Sequence, residues 1–212
     1  MNKNLKLKYK KIFVAGHNGM VGSSIIRAIK LQNSKQEILT VEKKKLDLMN
    51  QLDVYDYFLK HKPDLVIDAA ARVGGIDANR KLPATFIHDN LMIQSNIIHG
   101  SYISGVEALI FLGSSCIYPR NSKQPIKEKY LLSDKLEKSN EAYAIAKIAG
   151  LKMCEAYNKQ YGTDYRCIMP CNLYGPGDNY DERNGHVIPS LIKKFHFAKE
   201  NNENEVFVWG TG

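Results

Sequence analysis

The chain has 212 residues, 44% of them hydrophobic and 25% charged, which is the composition of a globular protein with a sizeable core. Its 30 Lys and Arg against 22 Asp and Glu give a formal charge of +8, yet no apolar run approaches the length of a membrane span and the first residues lack a signal peptide's apolar core. Cys116, Cys154, Cys167 and Cys171 show neither Cys-x-x-Cys pairing nor a histidine at zinc-finger spacing, so no metal site is expected and a reducing, cytoplasmic setting is.

Residues 1–10 form a basic arm, which reads as a solvated terminus rather than a nucleic-acid site. Lys11 to Ala15 is a short apolar run and predicts a buried strand ended by Gly16. In Gly16-His17-Asn18-Gly19-Met20-Val21-Gly22 the glycines let a backbone approach a pyrophosphate, and the periodic Met20, Ile25, Ile26 and Ile29 predict the helix whose N-terminus would face it. A strand before this turn and a helix after it point to a dinucleotide site.

A second strand is predicted from Glu37 to Val41. Just beyond it, Glu42 would suit the ribose hydroxyls of NAD, whereas Lys43 to Lys45 would suit the extra phosphate of NADP. Asp47 and Leu48 stand where an acid and an apolar residue grip an adenine. A helix from Leu52 to His61 precedes a third strand from Asp64 to Ala69, and Pro83 opens a long helix reaching about Tyr102. Ala108 to Leu112 predicts a fourth strand, which delivers Ser114, Ser115 and Cys116 to its carboxyl end. Residues 123–139 read as a polar surface excursion.

From Asn140 to Tyr161 a helix is predicted, closed by Gly162. It sets Tyr143 and Lys147 one turn apart on one face, where a lysine charge would lower the phenol's pKa toward working pH. A strand over Arg166 to Met169, a helix after Pro189 and a last strand over Glu205 to Trp209 complete the pattern. Strand and helix alternate throughout, predicting an α/β doubly wound parallel sheet of Rossmann type, with helices on both faces. The chain stops at Gly210-Thr211-Gly212 with no closing helix, as if cut short.

Six stretches together resemble the extended short-chain dehydrogenase/reductase family, and within it the epimerase–reductases of nucleotide sugars. They are the glycine turn, Val73-Gly74-Gly75-Ile76 with Ala78-Asn79, Phe111 to Pro119, Tyr143 to Gly150, Asn172 to Pro176 and His186 to Pro189. The resemblance implies residues 11–175 as a Rossmann domain binding NADP(H), and residues 176–212 as the start of a substrate-binding region. It implies Ser114, Tyr143 and Lys147 as the reductase triad, although spacing alone does not separate Ser114 from Ser115. Cys116 and His186 become the pair that epimerises carbons 3 and 5 of a GDP-4-keto-6-deoxy sugar. Without the family, Cys116 reads as a small packed thiol and His186 as a polar helix-entry residue.

Cofactor contacts are implied at Gly16, Asn18, Gly19, Met20, Val21, Gly22, Asp47, Leu48, Ala69, Ala70, Ala71, Tyr143 and Lys147. Ser115, Asn172, His186, Lys194 and Trp209 are implied on the substrate side. The family's dimers imply a homodimer through the helices near 83–103 and 141–160. Asn18 stands where a basic residue is common, and Val41-Glu42-Lys43 lacks the arginines usual after the second strand; both departures weigh against NADP without reversing it. A related epimerase–reductase whose substrate lacks the carbon-3 hydroxyl is the nearest alternative, and a catalytically silent NAD(P)-binding module the next.

Overall fold

The structure, a computed structural model, describes residues 8–32, 35–181 and 185–208. Most of the basic arm and Trp209 lie outside the described residues. Strand β1 (Lys11–Ala15) is followed by α1 (Met20–Leu31), β2 (Glu37–Leu39), α2 (Gln51–His61), β3 (Leu65–Asp68), α3 (Ile76–Lys81) and α4 (Pro83–Ile103). The chain continues through β4 (Ala108–Leu112), α5 (Glu141–Tyr161), β5 (Asp164–Ile168) and α6 (Val187–Glu200). The five strands lie in the order β2-β1-β3-β4-β5, every neighbouring pair parallel. This is the doubly wound order, and it reverses direction between β1 and β3.

Side chains alternate across the sheet with the strand's period of two. Phe13, Val66, Leu109 and Phe111 meet Val54 and Phe58 of α2, Ile97 and Ile98 of α4 and Cys154 of α5. Ile12, Val14, Leu65 and Ile67 face the other way, under Ile25, Ile26 and Ile29 of α1. Burial on both sides explains why β1 and β3 read as continuous apolar runs rather than alternating ones. The helix ends follow local rules. Asn50 caps α2 by accepting the Asp53 N–H, Pro83 occupies the first turn of α4, and Gly162 closes α5 at φ 68°.

Four sequence expectations change. No strand forms over 205–208; an apolar run becomes a strand only beside an edge that can pair with it, and the Phe207 carbonyl instead accepts from the Lys194 ammonium at 3.2 Å. Helix α6 begins before Pro189, which sits in its first turn where the missing N–H costs nothing. The short α3 carries no full amphipathic period and leaves little trace in the sequence. Residues 123–139 are not wholly surface, because Leu131 and Leu136 pack against Ile117, Ile148 and Leu151.

Helix α5 crosses the sheet over Phe111 with Gly150 at the crossing. A Cβ at Gly150 would lie 2.5 Å from Phe111 Cζ and 2.9 Å from Gln94 Cδ. Both neighbours are buried and fixed, so the helix would have to lift. Gly150→Ala is expected to lower stability by roughly 1–3 kcal/mol, the usual cost of overpacking, read as a drop in urea midpoint at unchanged m-value.

Candidate active site

Gly16 leaves β1 at φ 73°, a left-handed conformation that favours glycine, and its carbonyl accepts the Gly19 N–H at 3.0 Å. A Cβ there would lie 2.6 Å from the Ala69 carbonyl oxygen, so the β1 and β3 exits touch backbone to backbone. Helix α1 starts immediately afterwards with no side-chain cap and no acid in its first turn, leaving its positive dipole end uncompensated. A cleft of about 830 Å³ opens at this point, where the strand order reverses.

Gly16, Asn18, Gly19, Met20 and Val21 line the cleft from the first turn, Asp47 and Leu48 from the stretch after β2, and Ala69, Ala70 and Ala71 from the end of β3. His186, the N-cap of α6, lines it from the far side with Gly177, Asp178 and Asn179. The volume, bare glycine turn and open helix N-terminus fit a bound dinucleotide. Gly22 is not a lining residue: a Cβ there would collide with the Gly16 backbone, so it serves the turn's close packing.

At the cleft's polar rim the Asn18 amide donates to the Glu42 carboxylate at 3.0 Å, and His17 Nε2 lies 3.5 Å from its other oxygen. The Asn18 bond first, then the His17 bond, hold the Glu42 carboxyl below its ordinary range. Lys43 lines the cleft.

Ser114 follows β4 through Gly113 and starts a 3-10 turn over Ser115–Ile117, its Oγ accepting the Cys116 N–H at 3.2 Å. Its hydroxyl also interacts with the Tyr143 phenol, and Cys116 is close enough to act on that phenol electrostatically. The Cys116 Sγ accepts from Asn140 Nδ2 at 3.1 Å. Ser114, Cys116 and Tyr143 therefore form one cluster. Ser115 is half-buried beside it, and Asn172 is exposed.

Lys147 is buried at 3% exposure; its Nζ donates to the Leu112 carbonyl at 2.8 Å and stands 6.0 Å from the centre of the Tyr143 ring. The phenol's pKa is not lowered as Tyr-Lys spacing predicts. Burial, with the Cys116 charge, pushes Tyr143 up to about 12, and the Ser114 hydrogen bond offsets only part of that. The lysine is one turn away, but its ammonium points to the strand end rather than the phenol.

Spacing alone also missed the side chains that hold the cleft's loops. Asn90, 2% exposed on α4, accepts the Arg72 N–H at 2.9 Å and donates to the Arg72 and Phe86 carbonyls at 3.0 and 2.7 Å. Asn96 donates to the Leu48 carbonyl at 2.9 Å, and Asn79 to the Gly74 and Gly75 carbonyls at 2.9 and 3.1 Å. The available signal is amides recurring on the apolar side of α4, between Phe86 and Ile97.

A parallel sheet that opens a cleft where its strand order reverses defines a nucleotide-binding α/β protein of Rossmann type. Comparison with known proteins narrows that class. The chain belongs to the NAD dependent epimerase/dehydratase family, whose model matches residues 12–212. It is 53% identical over 203 residues to a GDP-L-fucose synthase of Sinorhizobium fredii, covering 96% of this chain and 64% of that protein. A GDP-L-colitose synthase of Yersinia pseudotuberculosis matches at 39% identity over 203 residues, covering 95% of this chain and 65% of that one. A solved GDP-L-fucose synthetase from Naegleria fowleri, bound to NADP, superposes with a TM-score of 0.87 at 31% identity, covering 96% of this chain and 66% of that one. The chain thus spans somewhat less than two thirds of the relatives it matches.

Asn90→Ala would leave the Arg72 N–H and carbonyl, at the edge of the cleft, without the side chain that holds them, while the Phe86 carbonyl keeps its helical partner. The expected result is about 2 kcal/mol less stability and faster amide exchange at Arg72, measured by urea titration and hydrogen exchange.

Proposed function

We propose that this chain is the cofactor-binding part of an NADP(H)-dependent epimerase–reductase that converts GDP-4-keto-6-deoxy-D-mannose to GDP-L-fucose. One observation carries the reading: Ser114, Cys116 and Tyr143 cluster at the end of β4, where the Lys147 ammonium is bonded to the Leu112 carbonyl 6.0 Å from the centre of the Tyr143 ring. The greater identity to a GDP-L-fucose synthase than to a GDP-L-colitose synthase favours the substrate with a carbon-3 hydroxyl.

Bound NADPH would supply a hydride to the carbon-4 ketone, held by the glycine turn, Asp47, Leu48 and the Ala69–Ala71 stretch. Tyr143 gives its proton to the ketone oxygen while the Ser114 hydroxyl donates a hydrogen bond to the same oxygen. Lys147, still protonated, stabilises the phenolate left behind. Epimerisation precedes reduction, since the ketone acidifies the hydrogens on carbons 3 and 5. Cys116 and His186 act from opposite faces of the sugar, one removing a proton and the other returning one, so each centre inverts through an enolate. The Asn140 bond fixes the sulfur for this task. Residues 11–175 form the cofactor domain in this reading, and the chain from residue 176 begins the substrate region, with Ser115, Asn172, Lys194 and Trp209 on the sugar-nucleotide side. Ile103 and Ile145, exposed on α4 and α5, support a homodimer through those helices, and four free thiols suit the cytoplasm.

Two tests follow from this chemistry. In the full-length protein, Cys116→Ser should cut deuterium uptake at carbons 3 and 5 by roughly 10²–10⁴-fold while slow reduction of the unepimerised ketone survives. Tyr143→Phe should block NADPH oxidation and leave the exchange. Wild-type exchange in Cys116→Ser would make Cys116 only a packed thiol.

For the cofactor, Lys43 is the cation after β2 that lines the cleft, whereas the neighbouring Glu42 carboxylate would oppose a phosphate there. Glu42→Gln keeps an acceptor for Asn18 and removes the charge. It should tighten NADPH about five- to tenfold, from roughly 1 kcal/mol of relieved repulsion, and leave NADH nearly unchanged; isothermal calorimetry with both cofactors reads this.

A further inference from the structure

The most unusual group outside the cluster just described is an acid in the core. Asp68 is the last residue of β3 and has no solvent exposure. It follows Val66 by the strand period, so it faces the layer that α4 and α5 cover. Its Oδ1 accepts the Ala70 N–H at 3.2 Å, while Oδ2 is buried with no hydrogen-bond partner. A carboxylate is rarely left there without a compensating charge.

The compensating charge is on α5. In the sheet register Asp68 lies beside Phe111 of β4, and the Lys147 Nζ stands 4.7 Å over the Phe111 ring while donating to the next carbonyl, that of Leu112. Strand β3 brings the acid, and helix α5 the base, beside the same residue, Phe111. The other groups turned into this space are the uncharged Gln94 amide, whose Oε1 is also unpartnered, and the Cys154 thiol; Lys147 is the charged group acting on Asp68.

We propose that Asp68 is a positioning residue that keeps Lys147 protonated and aimed at the end of β4, so that Tyr143 can give up its proton. The proposal rests on the reading that Tyr143 is the reductase acid. A buried ammonium with one carbonyl partner tends to lose its proton, and burial does draw Lys147 downward, with Asp68 the group that opposes it. Asp68 in turn is pushed up to about 6 by burial, against the pull of Lys147. Each group makes the other's charged form tolerable. Since burial already pushes the phenol up to about 12, losing the Lys147 charge would leave only the Ser114 hydrogen bond to ease its deprotonation.

Asp68→Asn keeps shape and an acceptor for Ala70 but removes the charge. NMR titration with 13Cε-labelled lysine, the Lys147 signal assigned by its loss in Lys147→Arg, reads the effect without any activity. Wild type should show the Lys147 signal responding to a titration near pH 6, and Asp68→Asn should lose that response and release the Lys147 proton at least about one pH unit lower. In the same wild-type chain the urea midpoint should fall as pH rises from about 4 to about 6. The folded state then retains a proton on Asp68 that the unfolded chain has already released; Asp68→Asn should flatten that slope. In the full-length protein the alkaline limb of kcat/KM for reduction should move down by the same unit, with KM for the nucleotide sugar little changed. A Lys147 signal blind to Asp68 in wild type, or an unchanged Lys147 titration in Asp68→Asn, overturns the proposal whatever the activity. If the lysine shifts as expected but no reduction is seen in either protein, the coupling stands and the reductase assignment falls.

Discussion

The cleft depends on how closely the first helix can begin to the first strand. Gly16 turns back on itself so that its carbonyl takes the Gly19 N–H, its α-carbon rests on the Ala69 carbonyl, and Gly22 packs against it one turn later. Any side chain at the first or last of these positions would push apart β1, β3 and α1. With none there, the uncapped end of α1 arrives at the point where the strand order reverses, and its dipole faces the space a pyrophosphate would fill.

A second constraint organises what surrounds that space. Helix α4 buries amides where a core helix ordinarily buries hydrocarbon, and each holds something other than its own helix. Asn96 holds the Leu48 carbonyl and Asn90 the Arg72 backbone, while Gln94 donates to the Ala146 carbonyl of α5 at 2.6 Å. A buried amide is costly unless bonded, so these residues are specific to their partners in a way leucine would not be. The stretches after β2 and β3, and the helix bearing Tyr143 and Lys147, therefore share one support.

Much of this was legible in the chain. The apolar runs gave the strands, Pro83 and Gly162 marked helix ends, and the glycine turn placed the cleft. What stayed hidden depended on three-dimensional neighbours. The direction in which Lys147 points is set by the Leu112 carbonyl, thirty-five residues away, and together with the burial of Tyr143 it explains why the phenol is not acidified. The run after Glu205 has strand chemistry but pairs with neither edge of the sheet among the described residues, its Phe207 carbonyl being held by Lys194. Asp68 reads in sequence as the polar end of an apolar run; that it and Lys147 both lie beside Phe111 follows only from the register of β3 on β4 and the place where α5 passes over that ring. Of the candidate residues, the ones lining the cleft were placed by local turns. His186 reaches it from a distant segment, and the described contacts do not join it to Cys116.

The amide bonds of α4 also limit how this architecture can be taken apart. A loop held only by its own turn can be exchanged between proteins as a cassette. Here the stretches carrying Leu48 and Arg72 are fastened to a helix that follows both in the chain, so a transplanted loop would arrive without its anchor. The transferable unit is both loops together with α4, and its outward-facing positions are the ones where sequence can drift freely.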